Sequence, residues 1–207
     1  MNKFLLILFL TVSLGNTALA SDNEPGLFEN WFNAMERTVK APTSYDLYRP
    51  LRVVHMRFNF TKEQIARYNE DPGGIGVGMS RIEGYNEHSL YAMGFRDSHS
   101  RVQGVLGYGW YHKLLKPGSL FNVSYGFTIS GQMRHEYSYI PIPLPLPLLS
   151  ADFGPFSAQA AYVPGGPGWG NIAIFWLKVR IPIGAKPPEP LTERHEEGEK
   201  QDGSEKS

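Results

Sequence analysis

Residues 120–130 read Leu-Phe-Asn-Val-Ser-Tyr-Gly-Phe-Thr-Ile-Ser, and the alternation in them decides the fold. Phe121, Val123, Tyr125, Phe127 and Ile129 alternate with Asn122, Ser124, Gly126, Thr128 and Ser130. Successive side chains of a strand leave opposite faces, so a period of two marks a strand with one apolar and one polar side. The pattern recurs on both sides of this stretch. Segment 51–60 places Val54, Met56, Phe58 and Phe60 on one face and Val53, His55, Arg57 and Asn59 on the other. Segment 74–80 alternates Gly74, Gly76, Gly78 and Ser80 with Ile75, Val77 and Met79. Further strands are expected over 89–96, 102–112, 140–149, 156–163 and 171–181. The result is eight segments of roughly ten residues, the length a tilted membrane strand requires.

Composition agrees. The 207 residues include 22 Gly, 16 Pro, 11 Tyr and 12 Phe with 42% hydrophobic residues, which disfavours a helical bundle and suits short strands joined by turns. Lys plus Arg equals Asp plus Glu at 20, which lacks the basic excess of a nucleic-acid binder. Cysteine is absent, which excludes a disulfide framework, a thiolate metal site and a cysteine nucleophile.

Both ends of the chain read differently. Lys3, the apolar run Phe4–Leu10 and Ala18-Leu19-Ala20 predict a secretory signal peptide over 1–20. Segment 21–44 carries an amphipathic helix over 25–40. Pro25 suits its first position, and Leu27, Phe28, Trp31, Phe32, Met35 and Val39 share a side. That helix either packs on a core or lies in a membrane interface with Trp31 and Phe32 as anchors. Residues 184–207 hold four basic and seven acidic residues and no aromatic one, so a disordered charged tail is expected there.

The region 45–183 is therefore expected to be an eight-stranded antiparallel β-barrel. Period alone leaves two forms open, a soluble ligand barrel with its aromatic face inward and a transmembrane barrel with that face on lipid. The signal peptide, the helix and the aromatic richness favour the transmembrane form. With both termini periplasmic, odd strands run outward, which brings His55 and the Asp97-Ser98 pair to one extracellular end. Glycines of one parity, at 74, 76 and 78 and at 107 and 109, have two readings: close packing in a tight barrel, or a slot in the lumen for an acyl chain. Pro141-Ile-Pro-Leu-Pro-Leu-Pro147 lacks every second ladder donor. A closed barrel accommodates that only where pairing is already broken, as at a lateral doorway; the plain alternative is a Pro-rich loop.

Taken in order, YDLYRP (45–50), HMRF (55–58), ARYNEDPGG (66–74), GMSR (78–81), LYAMGFRDS (90–98), GYGW (107–110), YIPIPLPLPL (139–148) and AYVPG (161–165) resemble the outer-membrane lipid A palmitoyltransferase family, PagP. The resemblance implies an all-β, eight-stranded barrel preceded by an amphipathic helix. It implies transfer of palmitate from a phospholipid to the hydroxyacyl chain on the proximal glucosamine of lipid A, with no metal or soluble cofactor. By position it implies His55, Asp97 and Ser98 as catalytic residues and Gly109 as the residue that measures the acyl chain. Lateral-gate prolines would be Pro50 and Pro72 on one side and Pro141 and Pro143, within the run to Pro147, on the other; Arg134 matches a family arginine. The implied partners are a phospholipid donor, a lipid A acceptor and the bacterial outer membrane, without nucleic acid, for a monomer or weak dimer whose site faces the cell exterior.

The chemistry is coherent on its own terms. Acyl transfer from an ester needs a base, a hydroxyl nucleophile and a stabilised oxyanion; His is the usual base near neutral pH, and an Asp can orient it. No G-x-S-x-G surrounds Ser98, which favours a positioning or oxyanion role over a nucleophilic one. His88, His112 and His135 are expected to be solvated near turns, His99 is a possible helper, and His195 lies in the tail. Two departures from the family stand out. The barrel lacks a terminal aromatic, and the segments 82–88 and 112–119 look about one residue short.

Overall fold

The computed structural model describes residues 27–166 and 170–184, so the signal peptide and all but the first residue of the tail lie outside the described residues. Helix α1 spans Leu27–Lys40. Eight strands follow: β1 (Ser44–His55), β2 (Ile75–Glu83), β3 (Asn86–Arg96), β4 (Val102–Lys113), β5 (Phe121–Met133), β6 (Ile142–Phe153), β7 (Phe156–Val163) and β8 (Ile172–Pro182). Each pairs antiparallel with the next, and β1 closes on β8. A one-turn helix α2 (Lys62–Ile65), capped by Thr61, lies between β1 and β2.

The alternation in β5 identifies which face meets what. Asn122, Ser124, Thr128 and Ser130 are buried in the lumen, while Phe121 and Tyr125 are exposed on the outer wall. Leu47, Leu51, Val77, Leu106, Leu149 and Phe175 continue that exposed apolar surface around the barrel. This is the transmembrane pattern, apolar out and polar in. The soluble ligand-barrel reading, with the aromatic face inward, is overturned.

The lumen has two halves. The half at the start of β1 is ionic. Lys178 is fully buried, 2.5 Å from Glu87 and 3.3 Å from Asp46; Arg180 and Lys113 reach Glu87 at 2.8 and 3.1 Å, and Lys113 reaches Asp152 at 3.9 Å. Three cations face three anions, so no buried charge lacks a counter-charge in this group, the condition under which ions tolerate burial. The other half is apolar. Tyr48, Tyr91, Val105, Leu146, Leu148, Ala161 and Trp176 form the core cluster, with Met93, Phe95, Leu144 and Ile174 against it.

Strand β1 begins earlier than the sequence suggests and ends at His55 rather than at residue 60. Beyond it the amides of Asn59 and Phe60 turn back to the Met56 carbonyl. The apparent alternation through Phe58 and Phe60 comes from this turn, which leaves Phe58 exposed and Phe60 buried against the His55 ring. A bulge at Leu51 shifts the register against β8 between Pro50 and Arg52. It switches the inward parity from even to odd residues, so Asp46, Tyr48 and Pro50 point inward before it and Val53 and His55 after it.

Two seams between neighbouring strands, well separated around the barrel, are open in the half that carries His55. β1 pairs with β2 only from Ser44 to Tyr48, and β6 pairs with β7 only from Leu148 onward. The stretch Ile142–Pro147 is strand, not a Pro-rich loop, paired to β5 alone. Its prolines therefore sacrifice no ladder bond to β7.

The glycines open less space than expected. A Cβ on Gly76 would strike Met93, one on Gly78 would strike the Leu90 carbonyl and Tyr48, and one on Gly107 would overlap the Tyr91 ring. These glycines admit neighbouring side chains rather than leaving a void, so of the two readings the structure favours close packing over a slot at Gly76, Gly78 and Gly107.

Helix α1 packs on β2 and β3 with Ala34 and Thr38 buried, four residues apart on one side. Trp31 stacks on the barrel, 5.3 Å from the Phe127 ring and 6.3 Å from Tyr108, and Arg37 pairs with Glu83 at 3.1 Å. Phe32 and Val39 stay exposed. The expected Trp31–Phe32 anchor pair is thus divided between barrel and surroundings.

Candidate active site

His55 ends β1, and Ser98 follows the end of β3, so antiparallel pairing around the barrel brings both to one rim. Ser98 Oγ lies 3.2 Å from His55 Nε2. The His55 side chain is 3% exposed, stacked on Tyr68 at 4.5 Å and met edge-on by Phe60 at 5.2 Å. An imidazole clamped by two rings keeps one orientation, as a proton-transfer group needs.

Asp97 adjoins this pair but is turned away from His55. Its Oδ1 accepts the backbone N–H groups of His99 and Arg101 at 2.8 and 2.9 Å, and its Oδ2 faces Arg134 at 3.5 Å. The carboxylate thus fixes the turn that presents Ser98, including Ser100 at φ 62°. The carboxylate on the other nitrogen of His55 belongs to Glu70, whose Oε1 is 3.2 Å from Nδ1. In sequence, Asp97 stands beside Ser98 as the carboxylate expected to orient His55, and Glu70 occurs only within ARYNEDPGG. The missed signal is a carboxylate held beside His55 by a loop fold, which no spacing rule exposes.

Below the rim, a cavity of about 250 Å³ is lined by Asp97, Ser98 and Arg134 together with apolar Val53, Phe95, Leu144 and Val163. It shares Phe95, Gln132 and Ile174 with a narrower cavity deeper in the lumen, bounded by Pro50, Tyr91, Leu146 and Trp176. The arrangement couples a polar reactive rim to an apolar shaft. Gly109 borders neither cavity. A Cβ there would lie 3.2 Å from the Tyr111 ring and 3.6 Å from Leu148, deeper in the barrel. Tyr48 and Tyr111 lie at the same depth, with Lys178 Nζ 5.9 and 6.0 Å from their ring centres.

Pro50 lies at the β1–β2 seam and lines the shaft, and Pro72, fully buried, accepts the Arg96 amide at 2.9 Å. Pro143 lies in the stretch of β6 that has no β7 partner, and Pro141 immediately precedes that strand. His88 and His112 are strand residues rather than solvated turn residues: His88 meets the Tyr108 hydroxyl at 2.7 Å and His112 meets Asn86 at 2.9 Å. His135 is exposed beside Arg101, and His99 faces Tyr68. Asp97, His99 and Glu136 bring ligand-type atoms within 4.8 Å of one another, but Arg134 already pairs with Glu136 at 3.4 Å and faces Asp97.

Residues 34–178 match the family model described as antimicrobial peptide resistance and lipid A acylation protein PagP. A lipid A acyltransferase PagP of Photorhabdus laumondii is 42% identical over 170 residues, 81% of this chain and 78% of that protein. The protein of the same name from Edwardsiella tarda is 38% identical over 168 residues, 80% of this chain and 90% of its own. That from Proteus mirabilis is 46% identical over 138 residues, 65% of each. The matched stretch runs from the barrel-packed part of α1 to Lys178 in β8 and takes in the rim, both cavities and both seams, so the chain belongs to the PagP family.

Proposed function

We propose that this barrel acylates lipid A in the bacterial outer membrane, moving a palmitoyl chain from a phospholipid to a hydroxyl of a hydroxyacyl chain on the proximal glucosamine. One observation carries the reading: Ser98, 3.2 Å from His55, lines the cavity that leads from the rim into the lumen. The names of the relatives support lipid A as acceptor. The donor's acyl chain enters through an open seam and lies in the shaft, which places its ester at the rim. His55 Nε2 takes the proton of the acceptor hydroxyl as its oxygen bonds to the carbonyl carbon. Ser98 donates to the developing oxyanion, and Asp97 holds Arg134 beside it. Collapse breaks the donor ester C–O bond. The lysophospholipid leaves as an alcohol, carrying the proton back from His55.

Pro50 and Pro72 mark one lateral entrance and Pro141 and Pro143 the other. The chain is stopped at the depth of Gly109, where Tyr48 and Tyr111 form a floor over Lys178. The rim faces the cell exterior, since odd strands of such barrels end there. A second reading follows from the order carboxylate–His55–Ser98, the arrangement that activates a serine nucleophile. It routes the acyl group through Ser98. Mass spectrometry of lipid A from a Gram-negative host with and without the protein tests the function. A sixteen-carbon acyl increment is expected, and unchanged lipid A overturns it.

A further inference from the structure

Loop 66–74 is stitched to both sides of the rim. The Glu70 carbonyl accepts the Val53 amide at 2.9 Å, the Asn69 amide donates to the Ser98 carbonyl at 2.8 Å, and Pro72 accepts from Arg96. This loop bridges the gap where β1 and β2 part, and it delivers one side chain to the back of His55. Glu70 Oε1 accepts the His55 backbone N–H at 3.1 Å and faces ring Nδ1 at 3.2 Å. Its Oε2 meets Arg57 at 3.1 Å and Arg52 at 3.4 Å. The carboxylate is about nine-tenths buried.

The geometry points to Glu70 as the positioning residue of the acyl transfer, the group that holds His55 with its proton on Nδ1 and its lone pair on Nε2, toward Ser98. The inference rests on the function proposed above. A carboxylate cannot donate, so a hydrogen bond at Oε1 requires Nδ1–H. Nε2 is then the acceptor facing Ser98 and the substrate. When Nε2 takes a proton, the imidazolium gains a counter-charge on its far side. Burial pushes the Glu70 carboxyl up, but hydrogen bonds from the His55 amide and ring and from Arg57 outweigh it and hold the group below the usual carboxylate range. Among the described residues the other side chains in ring or hydrogen-bond contact with the His55 ring are Tyr68, Phe60 and the Ser98 hydroxyl, with His99 beyond Tyr68. Asp97 is engaged by its own loop and Arg134. Glu70 is the carboxylate that reaches the ring.

The test uses the full barrel refolded in detergent micelles, with Glu70→Gln and Glu70→Asp beside wild type. Turnover is read with a dipalmitoyl phospholipid and purified lipid A, and the His55 tautomer is read by nitrogen NMR of histidine-labelled protein. Glu70→Gln is expected to lower kcat by on the order of 10²-fold with KM little changed, less than the ~10⁴ lost with a protease triad Asp because Arg52 and Arg57 share the Glu70 charge. Glu70→Asp, which restores a carboxylate, recovers part of the rate. Wild-type His55 shows Nδ1–H, lost in Glu70→Gln. A wild-type His55 protonated on Nε2 overturns the inference even if no variant folds. So does wild-type kcat in a folded Glu70→Gln. A wild type that shows the Nδ1–H tautomer but acylates no lipid A overturns the function and leaves the Glu70–His55 coupling standing.

Discussion

Tyr91 and Thr128 hold each other across the lumen. Their hydroxyl oxygens are 2.6 Å apart, and Thr128 also donates to the Tyr108 carbonyl at 2.8 Å, so the tyrosine is the donor between them. The ring so held occupies the place a Cβ of Gly107 would take. Gly107 thereby parks an aromatic ring against the wall, where it lines the deeper cavity. Gly107→Ala is expected to push the ring into the lumen, destabilise the barrel by roughly 1–3 kcal/mol and reduce palmitate transfer. Thermal unfolding in detergent and product analysis check both, and an unaltered product yield would remove Tyr91 from the path of the chain.

Gly109→Met is expected to shorten the transferred chain. Each methylene excluded from the shaft forfeits ~0.8 kcal/mol, so a raised floor selects chains that end above it. Wild type and variant are given phospholipids of mixed acyl length and the lipid A products are weighed. An unchanged palmitate preference would place the floor elsewhere.

Ser98→Ala separates the two transfer routes. If Ser98 stabilises the oxyanion, activity falls by about 10²–10³-fold but persists, whereas a covalent route is abolished. Residual transfer above that of His55→Ala is expected. Complete loss, with an acyl group recovered on wild-type Ser98, would favour the serine intermediate.

Lys178→Met leaves Asp46 and Glu87 without their central cation. Breaking a buried ion network by removing one partner costs about 3–5 kcal/mol, and Lys178 is fully buried. A lower urea midpoint with the rim chemistry retained is expected. A variant as stable as wild type would mean that Lys113 and Arg180 alone neutralise the cluster.

Glu70 also predicts a pH dependence of the rim loop. Its folded value lies below the ordinary 4.5, so the stabilisation it gives is complete above about that pH and fades as pH falls through the folded value. Protection of the Val53 and His55 amides, taken relative to the intrinsic exchange rate at each pH, should fall under acid in wild type. In Glu70→Gln it should be low and nearly independent of pH. Equal protection at neutral and strongly acidic pH in wild type would contradict this.

Much of this protein was legible in its sequence because a barrel wall is a repeating object. Phe121 to Ser130 alternate because every second side chain meets lipid, and a period of two needs no tertiary information. The topology of eight alternating strands carries His55 outward on the first and ends the third just before Ser98, so antiparallel pairing returns both to one rim, although only the structure shows that β1 stops at His55. The rest depended on events that break the repeat. The Leu51 bulge reverses parity within β1, and nothing in the alternation announces it. Gly76, Gly78 and Gly107 fit either close packing or a slot in sequence, because whether a missing Cβ leaves a void depends on which neighbour fills it, and here Met93, Tyr48 and Tyr91 do. Asp97 stood next to Ser98 in sequence and drew the orienting role. Direction, not adjacency, decides which carboxylate reaches an imidazole, and only the fold of loop 66–74 over the open β1–β2 seam turns Glu70 onto His55.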